Sequence, residues 1–284
     1  MSNIGIGWPD RVNAATVSGG SWQATLPVTN VADRRVTRVA RSTSAAAANT
    51  VIDIDCGSTK SMRAFALINH NLQSGATWRI KASLSAIGAT DVLDTGAINV
   101  VQMSMYADLL SWSDSGWWEG IGDGWLRNMN PVIYMHTGQL SARYVRIEIS
   151  DATNPDGYVQ VGRAIVAPML VPTWNDDYGR SRGFIDFNSF DVGEAGAEFA
   201  RLGRKLKTES VSLSWLTEQE ARFLRGISRQ RGTDDDVLYV SDVSDAAAQQ
   251  EYGFLARIES GLESIDQPLP GDVRRVRLKL RERT

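Results

Sequence analysis

Residues 30–82 carry N-V-A-D-R-R (30–35), V-I-D-I-D-C-G-S (51–58), A-F-A-L-I-N-H-N-L (64–72) and W-R-I-K-A (78–82), short apolar stretches separated by polar turns. Trp78, Ile80, Ala82 and Leu84 alternate with Arg79, Lys81, Ser83 and Ser85. Successive side chains of a strand point to opposite faces, so this alternation puts all four apolar groups on one side of a sheet. Residues 51–55 predict a short strand closed by Cys56, Gly57 and Ser58. Residues 64–68 form a nearly continuous apolar run of strand length, as expected in a sandwich core.

The same device returns further along. Val145, Ile147 and Ile149 alternate with Arg146 and Glu148, and N-P-D-G (154–157) follows as a turn. Proline presets one dihedral there and glycine accepts a positive φ. Residues 158–166 then predict the next strand. Between these halves, about residues 102–139 show no period and carry Trp112, Trp117, Trp118 and Trp125 among many Gly, Asp and Ser. A loop of that length without structure of its own is uncommon unless it has a function.

The ends differ from this middle. Residues 1–29 are interrupted by Gly5, Gly7, Pro9, Gly19, Gly20 and Pro27, which predicts an extended arm lying on the first domain or on a neighbour. Pro168 and Pro172 flank a linker, so the expected domains are residues 30–168 and 173–284. In the second, Val211, Leu213 and Trp215 predict a strand. Thr217 and Glu220 stand at the spacing of a capping box. Ala221, Leu224 and Ile227 continue at helical spacing, so a helix is expected over 217–230. Residues 237–240 and 252–258 predict further strands. At the terminus Val276, Leu278 and Leu280 alternate with Arg277, Lys279 and Arg281, predicting a strand with one basic face.

The chain has 284 residues, 43% of them hydrophobic, enough for a sizeable core. Its net charge of −3 gives no support to a general affinity for nucleic acid. Cys56 is the single cysteine, so no internal disulfide can form. No apolar run is long enough to span a bilayer. The first residues lack the basic and apolar segments of a secretion signal, so the expectation is a soluble product that stays in the cytosol.

Few side chains suggest chemistry. His70 and His136 are the only histidines, and no G-x-S-x-G occurs, so neither a zinc site nor a serine triad is indicated. Asp53 and Asp55 share one face of a strand. Such a pair suits acid–base work or calcium, or is simply a solvent-facing row. Asp234, Asp235 and Asp236 invite a cation or form a solvated loop. G-I-G-D-G (120–124) resembles fragments of phosphate-binding loops, without the strand and helix such loops require. The basic face of the terminal strand suits an edge guarded by charge or a subunit interface at Arg277, Lys279 and Arg281. The tryptophan cluster suits a partner or glycan contact, because exposed aromatics stack on sugar rings and anchor interfaces; it could equally fold back as a local core.

Several of these stretches together carry a resemblance. On T-N-V-A-D (29–33), V-I-D-I-D-C-G (51–57), A-L-I-N-H-N-L (66–72), Y-V-R-I-E-I (144–149), N-P-D-G-Y (154–158) and V-G-R (161–163), residues 29–166 resemble the galactose-binding-like (discoidin-type) jelly roll found in bacteriophage tail-tip proteins. The second half is similar to the β-rich C-terminal region of siphophage baseplate or distal-tail ring proteins, on L-S-W-L-T-E-Q-E (213–220) and V-L-Y-V-S-D (237–242). The resemblance implies a mainly β fold: a jelly-roll sandwich, then a smaller β-rich domain with one helix. It implies a virion structural protein of the tail tip, assembled in the host cytoplasm into a ring of six or three copies. Its neighbours would be the tail tube, hub and tape measure. It does not imply an enzyme or a cofactor; no metal site is assigned, although discoidin-like folds often carry a structural calcium, and the resemblance adds a little to that reading of Asp53 and Asp55. Two other functions stay open: a module that recognises a host surface glycan, and a cell-wall hydrolase using the carboxylates as acid and base.

Overall fold

The computed structural model describes residues 3–88, 90–101, 112–113, 131–192, 198–201, 203–231, 236–259, 264–266 and 274–283. The first strands are β1 (Gly5–Gly7), β2 (Thr16–Ser18), β3 (Ala40–Arg41), β4 (Val51–His70) and β5 (Thr77–Ser83). They are followed by β6 (Asp91–Asp94), β7 (Ile98–Asn99), β8 (Val132–Ser150), β9 (Gln160–Ala167) and β10 (Met169–Leu170). The remainder holds β11 (Ser181–Asp186), β12 (Ser189–Val192), β13 (Glu198–Arg201), β14 (Lys205–Leu216) and helix α1 (Glu218–Arg231). It ends with β15 (Asp236–Val240), α2 (Ala246–Tyr252), β16 (Phe254–Ile258), β17 (Ser264–Asp266) and β18 (Arg274–Glu282). The chain is mainly β, as the alternating stretches lead one to expect.

It divides into two compact units, one of residues up to Val171 with Leu238–Phe254, the other of Pro172–Val237 with Leu255–Arg283. The backbone of the first unit is the long pair β4–β8. Their outer halves run Val51↔Glu148 to Asp55↔Tyr144, and their inner halves Lys60↔Ala142 to Leu67↔Val132. β2 and β5 flank the outer halves, while β9 and then β3 flank the inner half of β4. One core is shared by both halves: Ile52, Ile54, Trp78, Ile80, Val145, Ile147 and Ile149 from one, and Met62, Phe65, Leu67, Val132, Val161 and Val166 from the other. The bent pair thus closes into a sandwich.

The bend explains one departure from expectation. Cys56, Gly57 and Ser58 do not end the strand. The register slips between Asp55 and Lys60, Gly57 takes φ 74°, and its N–H donates to Asp55 Oδ1 at 2.8 Å. That is a bulge, which turns a strand without terminating it. Beyond it, residues 64–68 are buried on both faces, as their unbroken apolar run requires. Leu84 also departs: β5 ends at Ser83, and Leu84 is exposed in the following turn. Residues 132–139, read as part of an irregular insertion, belong to β8.

The stretch read as an arm is woven into the first unit over its described length. β1 pairs with both β10 and β15. Asp10 is buried beside Arg163, Oδ2 to Nη2 at 3.0 Å. Its Oδ1 accepts from the N–H groups of Val12 (3.0 Å) and Val166 (3.3 Å). Arg163 also donates to Asn13 Oδ1 and to the Arg34 carbonyl. An ion pair is tolerated in such a place because both carboxylate oxygens of Asp10 and the Arg163 Nη groups are hydrogen-bonded.

In the second unit, β14 pairs with β11 on one side and β18 on the other. α1 buries Ala221, Leu224 and Ile227, and Val211, Leu213, Val276 and Leu278 are the buried residues of the sheet it packs against. The helix start is a reciprocal cap. Thr217 N–H donates to Glu220 Oε2 at 2.7 Å, and Glu220 N–H to Thr217 Oγ1 at 3.4 Å. Glu220 Oε1 also accepts from the Thr173 N–H (2.7 Å) and hydroxyl (2.9 Å). Burial pushes this carboxyl up, but the hydrogen bonds from Thr217 and Thr173 outweigh it and hold the pKa below the usual value. The sequence pattern shows one helix; the structure adds α2, capped by Asp245, whose side chain accepts from the N–H groups of Ala247 and Ala248. A helix this short, A-A-A-Q-Q-E-Y, has too little apolar period to stand out.

Candidate functional site

The outward face of the sandwich around β2, β4, β8 and β5 is a grid fixed by strand register. Thr16, Asp55, Tyr144 and Ser83 lie in one row across the strands. Ser18, Asp53, Arg146 and Lys81 lie in the next. Because directly paired residues point to the same side, each row presents its side chains together. The turn at Ser85, Ala86 and Ile87 rises beside them. Thr16, Ser18, Asp53, Asp55, Tyr144, Arg146 and this turn, with Ile54 and Val145, line an open groove of about 500 Å³.

The charged groups in the groove are locked in pairs. Arg146 grips Asp53 with Nε–Oδ1 at 2.6 Å and Nη2–Oδ2 at 2.9 Å. Arg143 grips Asp55 in the same way at 2.8 and 2.9 Å. The Arg143 guanidinium also lies 4.7 Å from the centre of the Tyr144 ring. Its hydrogen bonds hold the Asp55 carboxyl below the ordinary range. The wall is tied down as well: Ser83 and Gly88 both donate to Asp91, and Ser85 N–H donates to Thr90 Oγ1. Farther along the face, Lys81 pairs with Glu148 at 3.2 Å and Arg79 with Asp94. The result is a pre-set surface of carboxylate oxygens, guanidinium N–H groups, hydroxyls and one aromatic ring.

This arrangement bears on the readings of Asp53 and Asp55. Each carboxylate faces a guanidinium, and a positive partner held at 2.6–2.9 Å competes with a calcium ion for the same oxygens. Among the described residues, no group of three or more His, Cys, Asp and Glu side chains is placed to hold a metal. His70 is half-buried at the end of β4. Its Nδ1 accepts from Leu72 N–H at 3.2 Å, and burial pushes its pKa down to about 4, so the ring is neutral. The carbonyl of His136 accepts from Arg63 Nε at 3.0 Å. Asp236 is buried and accepts from Arg283 Nη1 at 2.6 Å; Asp234 and Asp235 lie outside the described residues. Burial, and next the Asp55 charge, push the Cys56 thiol up, away from the reactive thiolate.

Trp112 is exposed. Trp117, Trp118, Trp125 and residues 120–124 lie outside the described residues. Arg277 and Lys279 are exposed on β18, while Arg281 is half-buried and reaches Glu259 at 3.1 Å. The idea of a charge-guarded edge is corrected here. β18 is an interior strand, paired with β14 on one side and with β16 and β17 on the other. Tyr144, Arg146, Arg143, Thr16 and Ser18 were not singled out from the sequence. The Asp-x-Asp of β4 was visible, but its arginine partners sit some ninety residues away and become partners only through the register.

No family model matches the chain, and no curated protein matches it. Solved structures do resemble it. One is a carbohydrate-binding module, CBM32-1, from a family 31 glycoside hydrolase of Clostridium perfringens, at 12% identity and TM-score 0.36, covering 54% of this chain and 93% of the module. Another is the family 32 module of NanJ from C. perfringens, solved in complex with galactose, at 10% identity and TM-score 0.37, covering 58% and 99%. A third is SpGH29, at 12% identity and TM-score 0.38, where 57% of this chain spans only 28% of the other. These are low-identity likenesses of backbone arrangement, and what the groove can hold follows from its own side chains.

Proposed function

We propose that this chain is a non-catalytic binding protein whose sandwich recognises a glycan in the groove of Asp53, Asp55, Tyr144 and Arg146. The observation that carries this reading is the fixed alternation of acceptors and donors across neighbouring strands. A sugar offers vicinal hydroxyls that donate to a carboxylate and accept from a guanidinium at once, and an apolar face that packs on a ring. Side chains already held in bidentate pairs lose little freedom when a ligand arrives. An open groove on a sheet gives contacts of modest number, so affinity near the millimolar range, about −4 kcal/mol, is expected. The test is titration of the full chain with galactose, fucose and chitosan oligosaccharides, followed by amide chemical shifts. Shifts confined to β2, β4, β8 and the 85–87 turn, weakened about tenfold or more in Arg146→Ala and Tyr144→Ala, are expected. Saturating sugar that moves none of these amides overturns the reading.

A second reading is favoured by a different observation, the outward aromatics and basic side chains of the second unit. It is a structural component of a bacteriophage tail tip, residing in the virion, with other tail proteins and copies of itself as partners. Phe184 on β11, Phe187 just after it and Phe190 on β12 are exposed, and such groups anchor protein contacts. Here the glycan groove would serve attachment and the second unit assembly.

A further inference from the structure

The groove of the sandwich is walled at one end and open at the other. Its lining runs from β2 over β4 and β8, and then passes to Ser85, Ala86 and Ile87 instead of to β5. Ser83 shows why. It stands in the row of Thr16, Asp55 and Tyr144 on the outward face, yet it is 0% exposed. The turn that follows β5 covers it. Ser83 Oγ donates to Asp91 Oδ1, and the same oxygen accepts from the Gly88 N–H at 2.8 Å. Ser85 N–H donates to Thr90 Oγ1 at 3.0 Å, and Leu84 N–H to the Thr90 carbonyl at 3.3 Å. These bonds hold the turn as a fixed wall over the end of β5.

The other end has no such wall. β2 pairs with β4 alone, and Thr16 and Ser18 are exposed. Among the described residues, nothing beyond β2 lines the groove.

This asymmetry restricts what part of a sugar chain can enter. A ring inside a chain carries a neighbour on each side, whereas the last ring has one side free. A walled end clashes with a chain that continues past it, and such exclusion is how specificity against a near relative is built. Ala86 and Ile87 give the wall an apolar surface on which a last ring can pack, while Asp53, Asp55 and Arg146 meet its hydroxyls.

We infer that the groove takes the free end of a glycan chain, the last ring seated against residues 85–87 and the remaining rings leaving across β2. Asp91 is the positioning residue that holds the wall. This rests on the glycan reading and adds which part of the glycan is bound.

Chain length tests it. Linear galactose chains of two and four units and a long galactan, and the matching chitosan series, are titrated into the full chain, with the amides of β2, β4, β8 and the 85–87 turn as the readout. Potency should follow the molar concentration of chain ends. Within a series that binds, it should be equal per molecule to within about twofold, so the polymer is weaker per unit mass in proportion to its length. Asp91→Ala releases Ser83 and Gly88, and should raise the polymer's potency per unit mass toward that of the four-unit chain. Potency that follows the number of sugar units in the wild-type protein overturns the inference and leaves the glycan reading standing. An Asp91→Ala chain that binds sugar and keeps the full preference for ends overturns the role given to Asp91 and its turn. If no chain moves these amides, the glycan reading itself fails and the inference falls with it.

Discussion

Removing Asp10 should cost more than removing its partner Arg163, although the two make one ion pair. Asp10→Ala leaves a guanidinium with 0% side-chain exposure that cannot shed its charge, since arginine stays protonated inside proteins. It also strips the acceptor from the N–H groups of Val12 and Val166. Breaking a buried pair in this way costs roughly 3–5 kcal/mol. Arg163→Met leaves a carboxyl whose pKa burial already pushes up, against the pull of Arg163. That carboxyl can take a proton and become neutral, so the cost at pH 7 should be smaller, and smaller still at pH 5. The double variant should cost less than the sum, by about 1–3 kcal/mol of coupling. Native-state hydrogen exchange at the β4 and β9 amides reads the opening free energy of this unit directly. A cost below about 1 kcal/mol for Asp10→Ala, or a larger one for Arg163→Met, would refute the reasoning.

His70 makes the first unit acid-sensitive. Its folded pKa of about 4 lies below the unfolded value of 6.5, so the unfolded chain binds the extra proton between them. Stability should therefore fall as pH drops from about 6.5 to 4, by up to about 3 kcal/mol, and His70→Leu should flatten that slope in urea unfolding at several pH values. Glu220→Ala removes the acceptor for both Thr217 and Thr173, which should cost about 1–3 kcal/mol and lower the melting temperature of the helical signal at 222 nm; an unchanged melting curve would contradict the capping account.

What was legible in the sequence is what depends on near neighbours. The alternation of Trp78, Ile80 and Ala82, the inward set Val145, Ile147 and Ile149, and the Thr217–Glu220 cap all stand in the structure as written. What was missed depends on partners far along the chain. Gly57 reads locally as a terminator, yet it bulges, because β8 continues to pair beyond it at Lys60 to Leu67. Asp10 reads only as part of an extended arm until Arg163 is seen beside it. Arg277 and Lys279 read as guards of an edge, but strands on both flanks make theirs an interior strand. Local composition reveals a residue's facing; only register reveals its neighbours.

The pairing of charge in the groove bears on the kind of ligand it suits. In the groove, every charge named has an opposite charge within about 3 Å on a neighbouring strand, so the surface is rigid and electrically balanced. A balanced surface attracts little from a distance and suits a neutral, hydroxyl-rich ligand that exchanges one hydrogen bond for another. Added salt should therefore leave sugar binding nearly untouched, because screening acts on charges that have no partner close by. Binding that falls steeply with salt would mean that the groove's charges are not matched as their geometry describes.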